Sequence, residues 1–137
     1  MQQGEQHMSK YLERARELRA SVDVRYNCAQ SVLVPFAEEA GLTEKQACAV
    51  AAAFGQGMQS GNLCGAYTGA LMALGVLGRA DRKTVATLTR RMRDTHGGTL
   101  MCADLLRKNA ETGGKRKPHC DAMVYEAVQL VEELALS

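Results

Sequence analysis

Helix start and stop signals recur along almost the whole sequence, and they constrain the fold more than any other feature. Ser9, Asn27, Thr43 and Asp81 each precede a stretch with apolar residues at helical spacing. Asn27 and Thr43 are each followed three residues later by a glutamine, which is the spacing of a capping box. Strand signals, such as alternating β-branched runs joined by Asn-Gly or Asp-Gly, are nearly absent. The pattern predicts an all-α single-domain bundle of about six to seven helices.

The predicted helices follow from these signals and from the glycines and prolines between them. Pro35 should kink the second helix, which Gly41 ends. The predicted helices are residues 9 to about 21–25, 27–40, 44–54, 63–77 with Ser60 or Asn62 as its cap, 81 to about 96, 99–109, and 118 or 119 to 134; residues 55–61 and 111–118 are predicted loops.

Composition bounds the domain organisation and excludes some partners. At 137 residues the chain is long enough for one core, so residues 9–137 are expected to form one domain, after a disordered extension or cloning remnant at residues 1–8. With 4% aromatic residues and no Trp, that core should be aliphatic. A net charge of +2 without a basic stripe argues against a nucleic-acid partner, and the most apolar stretch is too short for a membrane span.

Glycines at four-residue spacing mark the fourth predicted helix. Gly61, Gly65 and Gly69 would share one face of that helix, because residues four apart lie above one another. Another backbone can approach such a face closely. We therefore expect a glycine-lined, close-packed central helix, and the same face could also serve a homodimer.

Four of the five cysteines fall in the first turn of a predicted helix: Cys28, Cys64, Cys102 and Cys120. Without an export signal the protein is expected to be cytoplasmic and its cysteines to be thiols, redox groups or metal ligands. The positive end of a helix lowers a thiol pKa from about 8.5 to roughly 3.5–7.5. We expect these helix starts to converge, at least two of the sulfurs to lie near enough to bridge, and Cys64 to be the most reactive thiol. Cys48, within an Ala-rich helix, is expected to be an inert core residue.

The cysteine pattern resembles that of a known family. Residues 64–69 read CGAYTG, and Cys28, Cys102 and Cys120 surround them in the order and approximate spacing of the C_GCAxxG_C_C family, which has four characteristic cysteines and a CGAxxG motif. A redox role is attributed to that family because of its cysteines. The resemblance implies that these four cysteines are the catalytic residues of a thiol-based oxidoreductase or an electron-transfer protein, acting with a redox partner that the sequence does not identify.

The residues leave three functions open. The first is thiol–disulfide exchange, and the second is an iron–sulfur or other metal centre with the four cysteines and His119 as ligands. The third is a structural or interaction domain whose cysteines only pack. No CxxC or CxxCH motif is present, so neither a zinc ribbon nor covalent haem is expected; nor does any hydrolase motif appear.

Residues beside the cysteines have open roles too. Gly65, Thr68 and Gly69 could line a cofactor, although Thr68 is expected to bond back to the Cys64 carbonyl. The cationic run 115–117 (Lys-Arg-Lys) would favour a thiolate if its loop folds back towards one.

Overall fold

The computed structural model describes residues 9–136, and in that part of the chain seven α-helices form and no strand does. A 3-10 turn (Glu38–Ala40) extends the second helix, and a π-type turn (Gly57–Gly61) precedes the fourth. The prediction of an all-α fold is confirmed, while the predicted extension at residues 1–8 lies outside the described residues. In chain order the helices are α1 (Lys10–Ala20), α2 (Cys28–Ala37), α3 (Glu44–Ala51), α4 (Gly65–Val76), α5 (Arg82–Asp94), α6 (Cys102–Glu111) and α7 (Arg116–Leu136).

Four helices begin where the sequence predicts, because a short polar side chain before each helix accepts a hydrogen bond from a backbone amide of the first turn. Asn27 and Thr43 each form a complete capping box with the glutamine three residues on. The hydroxyl of Ser9 accepts a hydrogen bond from the Leu12 amide at 3.1 Å, and Asp81 likewise caps α5. These four predicted starts are confirmed.

Other predicted helix boundaries, three starts and one end, are wrong. Asn62 and Ser60 bond to each other at 2.7 Å instead of capping α4, which begins at Gly65. Helix α6 begins at Cys102 rather than at Thr99, and α3 ends at Ala51, three residues early. Helix α7 begins at residue 116, before the predicted start. The helix can include Pro118 in its first turn, because backbone nitrogens there have no intrahelical hydrogen-bond acceptor to lose.

Helices α2 and α4 make the most extensive contact in the bundle, and two glycines permit it. A Cβ atom at Gly69 would lie 2.8 Å from the Ala29 carbonyl oxygen, and one at Gly65 would lie 3.2 Å from the Cys28 Cβ atom. The predicted close-packed central helix is confirmed. Gly61 is not part of its stripe, because it lies in the π-type turn with φ +76°.

The core around α2 and α4 is aliphatic, as expected, except for the aromatic residues Phe36 and Tyr67. Helix α7 packs against α1, α2, α4, α5 and α6 and closes the bundle. No helix within residues 9–136 has the length and apolar character needed to cross a bilayer. The largest fully buried side chains are Phe36, Leu33, Leu74, Leu88, Met92 and Met123.

Candidate thiol redox site

The four predicted site cysteines line one cavity of about 30 Å³, room for only about two water molecules. Cys28 begins α2, Cys64 precedes α4 and Cys102 begins α6, whereas Cys120 is the fifth residue of α7. The predicted convergence of these chain segments is confirmed, and all four thiols are free. The first-turn placement is wrong for Cys120, because α7 begins earlier than predicted.

A short antiparallel pairing joins the chain before α4 to the chain before α6. The amide of Cys64 donates to the Leu100 carbonyl at 2.7 Å, and the amide of Cys102 donates to the Asn62 carbonyl at 2.6 Å. Between them lies a single bridge from Leu63 to Met101. These bonds fix the two cysteines on one side of the site.

Cys28 and Cys120 line the same cavity, and hydrogen bonding between their side chains is the largest cause of the pKa shift of each. This interaction lowers the pKa of Cys120 to about 6, against the opposing effect of burial, with further help from Arg19 and Arg116. The same interaction, together with burial, raises the pKa of Cys28 well above its ordinary value. The shifts therefore favour the thiolate on Cys120 and the protonated thiol on Cys28.

Arg19 and Arg116 supply positive charge to this pair from different ends of the chain. Arg19 is 12% exposed; its Nε donates to Asp121 Oδ1 at 2.7 Å and its guanidinium also donates to the Tyr26 carbonyl at 3.0 Å. Arg116, the first residue of α7, lowers the pKa of Cys120 by its charge and by hydrogen bonding. The expectation that the 115–117 run favours a nearby thiolate is therefore met at Arg116.

Cys64 and Cys102 have the opposite electrostatic character. Burial raises the pKa of Cys64 to about 11, although the amides of Ala66 and Tyr67 at the start of α4 oppose the rise. Burial also raises the pKa of Cys102, against the effect of Arg116. The expected helix-start effect is therefore present at Cys64, but burial outweighs it, which argues against Cys64 as the most reactive thiol.

Cys48 lies away from this cavity, on α3. It is half-buried rather than enclosed in the core, and burial raises its pKa. The expectation of a core position is therefore met only in part.

Two of the four other predicted site residues, His119 and Gly65, line the thiol cavity. Burial, followed by the nearby His96, lowers the pKa of His119 and so disfavours its charged form. Thr68 is buried and donates to the Cys64 and Gly65 carbonyls at 3.4 and 3.2 Å, which confirms the back-bonding. Gly65 lines the cavity, whereas Gly69 faces α2.

Metal ligation by the cysteines and His119 stays a prediction. Among residues 9–136, no three His, Cys, Asp or Glu side chains are arranged so that they could hold a metal ion. A metal centre would therefore require these side chains to move from the positions described.

One family model matches residues 26–134, a span that contains all four cysteines. Its description is "Putative redox-active protein (C_GCAxxG_C_C)". The chain belongs to this family. In this member the central motif is Cys64-Gly65-Ala66, with the cysteine before the glycine. No curated protein and no solved structure matches the chain.

Two residues of the site in this family member were not found from the sequence. Arg19 lies outside the span that the family model matches, and no local pattern connects it with Cys120. Gln56 lines the thiol cavity with a left-handed backbone, φ +54°, which is rare for a residue other than glycine. Only the neighbouring glycines of the 55–61 segment hinted at unusual backbone geometry there.

Proposed function

We propose that this protein carries out thiol–disulfide exchange, with Cys120 as the attacking thiolate and Cys28 as the resolving thiol. The observation that carries the proposal is that both thiols line one cavity with Arg116, and that hydrogen bonding between them is the largest cause of their opposite pKa shifts. A thiolate is the nucleophile in such exchange, and a neighbouring thiol is needed to release the mixed disulfide. Both groups are present in one contact.

The exchange balances without a further reactant. The Cys120 thiolate attacks one sulfur of a substrate disulfide, the substrate S–S bond breaks, and the leaving thiolate takes a proton. Cys28 then loses its proton to solvent and attacks the Cys120 sulfur, which forms the Cys28–Cys120 disulfide and releases the second half of the substrate as a thiolate that takes a proton from solvent. Two protein thiols are oxidised and one substrate disulfide is reduced to two thiols.

The same contact explains why the two cysteines act in this order. While Cys120 is a thiolate, its hydrogen bond to Cys28 keeps Cys28 protonated. Once Cys120 is part of a mixed disulfide its negative charge is gone, so the main cause of the raised pKa of Cys28 is removed. Arg19, which favours the Cys28 thiolate electrostatically, remains in place. Attack by Cys120 therefore prepares Cys28 for the second step.

Cys64 and Cys102 would serve as a second dithiol that exchanges with the first. They line the same cavity as Cys28 and Cys120, and oxidation of Cys120 removes a negative charge that contributes to their raised pKa values. Attack by this second dithiol on the Cys28–Cys120 disulfide would transfer the disulfide to Cys64 and Cys102 and restore the thiols of Cys28 and Cys120. Cys64→Ala should then leave the first disulfide intact while halving the number of oxidised thiols.

Trapping of the mixed disulfide tests the proposal. Reduced protein is treated with bis(2-hydroxyethyl) disulfide, and the products are located by peptide mass spectrometry. Parent protein should form the Cys28–Cys120 disulfide, Cys28→Ser should accumulate a mixed disulfide on Cys120, and Cys120→Ser should form neither product. Cys48→Ser is the matched control and should behave like the parent.

Other outcomes would overturn the assignment. A mixed disulfide that accumulates on Cys28, or a parent protein that forms no Cys28–Cys120 disulfide, contradicts it. Iron or zinc that is bound stoichiometrically after purification without oxygen, and that is lost in Cys120→Ser, would favour the metal function instead.

A further inference from the structure

A second cavity opens beside the Cys28–Cys120 pair and forms a groove of about 580 Å³, lined by both of these cysteines but by neither Cys64 nor Cys102. Its volume lies within the roughly 300–1,000 Å³ that is typical of small-molecule sites. Gln56 lines both the groove and the inner thiol cavity. A substrate in the groove would therefore reach Cys28 and Cys120 before Cys64 and Cys102.

The charged side chains that line the groove are all cationic. Arg19, Arg25, Arg116 and Lys117 line it, and no Asp or Glu side chain is among its lining residues. Asp121 forms ion pairs with Arg19 at 2.7 Å and with Lys117 at 3.1 Å, so two of the four cations already have a partner. These pairs hold Arg19 and Lys117 in place beside the groove.

The other two cations lining the groove, Arg25 and Arg116, have no carboxylate partner within residues 9–136. Both residues are exposed. Arg116 also lines the thiol cavity with Cys120, which places one of these cations beside the nucleophile. Arginine is well suited to carboxylates, because its planar guanidinium can donate two parallel hydrogen bonds.

We propose that this groove binds small disulfides that carry carboxylate groups, and that Arg25 and Arg116 select these disulfides over neutral and cationic ones. The proposal rests on the thiol–disulfide exchange proposed above and names its substrate class. The positive groove raises the local concentration of an anionic disulfide, and it also stabilises the thiolate that leaves when Cys120 attacks. The reaction is the balanced exchange already described, with the dicarboxylate disulfide as the oxidant.

Three disulfides with two-carbon arms provide the test: 3,3'-dithiodipropionate with two carboxylates, bis(2-hydroxyethyl) disulfide without charge, and cystamine with two ammonium groups. The rate of Cys28–Cys120 disulfide formation is measured at pH 7 for each compound. Each rate is divided by the rate of the same compound with dithiothreitol, which corrects for the different leaving thiols. The corrected rate should be roughly tenfold or more higher for the dicarboxylate than for the neutral compound at low ionic strength, and lowest for cystamine. Added salt should reduce the difference.

Substitutions locate the selectivity. Arg25→Gln should lower the ratio of dicarboxylate to neutral rate severalfold, and Arg116→Gln should lower it as well. Arg90→Gln removes the same charge from an exposed position on α5, outside the groove, and is the matched control that should keep the parent ratio.

The outcomes separate this inference from the proposed exchange. If all three disulfides oxidise Cys28 and Cys120 at equal corrected rates, the anion-selective groove is wrong while the exchange stands. The same holds if Arg90→Gln lowers the ratio as much as Arg25→Gln does. If even the neutral compound forms no Cys28–Cys120 disulfide, it is the exchange itself that fails.

Discussion

Replacement of Cys28 tests the contact on which the proposed exchange depends. The hydrogen bond from Cys28 is the largest cause of the lowered pKa of Cys120, about 6 against an ordinary value of 9.0. Cys28→Ala removes the donor, so the pKa of Cys120 should rise towards the ordinary value. Cys28→Ser retains a hydroxyl donor at the same position and should keep the pKa low.

The size of the expected change in the Cys120 pKa decides which quantity should be measured. At pH 7 a pKa of about 6 corresponds to about 90% thiolate, and the ordinary value of 9.0 to about 1%. A more basic thiolate is a better nucleophile, with a Brønsted coefficient of about 0.4–0.5. The rate constant of each remaining thiolate therefore rises by a factor of roughly 15–30, which compensates for most of the lost thiolate. The rate at pH 7 would then fall only about 3–6-fold, whereas the midpoint of the pH–rate profile would move by up to about three pH units. These values are upper bounds, because Arg19 and Arg116 remain in the variant.

The midpoint is therefore the quantity to measure. The alkylation rate of Cys120 is followed by mass spectrometry as a function of pH in the parent, in Cys28→Ala and in Cys28→Ser. Cys48→Ala, which removes a half-buried thiol outside the cavity, is the control and should keep the parent midpoint. A parent midpoint at or above that of an ordinary thiol, or an unchanged midpoint in Cys28→Ala, would refute the reasoning.

Two further predictions concern the scaffold, and thermal or urea unfolding checks both. Gly69→Ala should destabilise the fold by about 1–3 kcal/mol, because its Cβ would lie 2.8 Å from a backbone oxygen of α2; Gly75→Ala, with nothing within 4 Å, should stabilise it by about 0.5–1 kcal/mol. Equal effects of these substitutions would contradict the packing argument. Asn27→Ala should cost about 1–2 kcal/mol more than Thr43→Ala: both lose a capping box, but only the Asn27 amide also donates to two carbonyls at the end of α3. Equal losses would show that these two bonds do not contribute.

The fold was predictable wherever its signals are local. A capping box such as that of Asn27 and Gln30 depends on residues three apart, so the sequence itself displays it. The start of α6 was missed because the chain before Cys102 pairs with the chain before Cys64 through two backbone bonds. Those bonds join segments distant in sequence and involve no side-chain pattern, so inspection of either segment alone could not reveal them.

The convergence of the four cysteines was predictable, whereas their relative acidity was not. Cys28, Cys64, Cys102 and Cys120 do line one cavity, as their positions near predicted helix starts indicated. Their relative acidity depends instead on which sulfur meets a donor and a cation and which is enclosed by apolar groups. Neither property follows from position along a helix.

Cys64 and Cys120 demonstrate this point in opposite directions. Cys64 lies beside helix-start amides, yet burial raises its pKa to about 11. Cys120 lies beyond the start of its helix, yet a thiol and two arginines lower its pKa to about 6. One of those arginines, Arg19, comes from the opposite end of the chain. Because Cys120 lines the groove whereas the buried Cys64 lines only the thiol cavity, a disulfide substrate should meet the Cys120 thiolate first, and Cys64 should react only after the Cys28–Cys120 pair is oxidised.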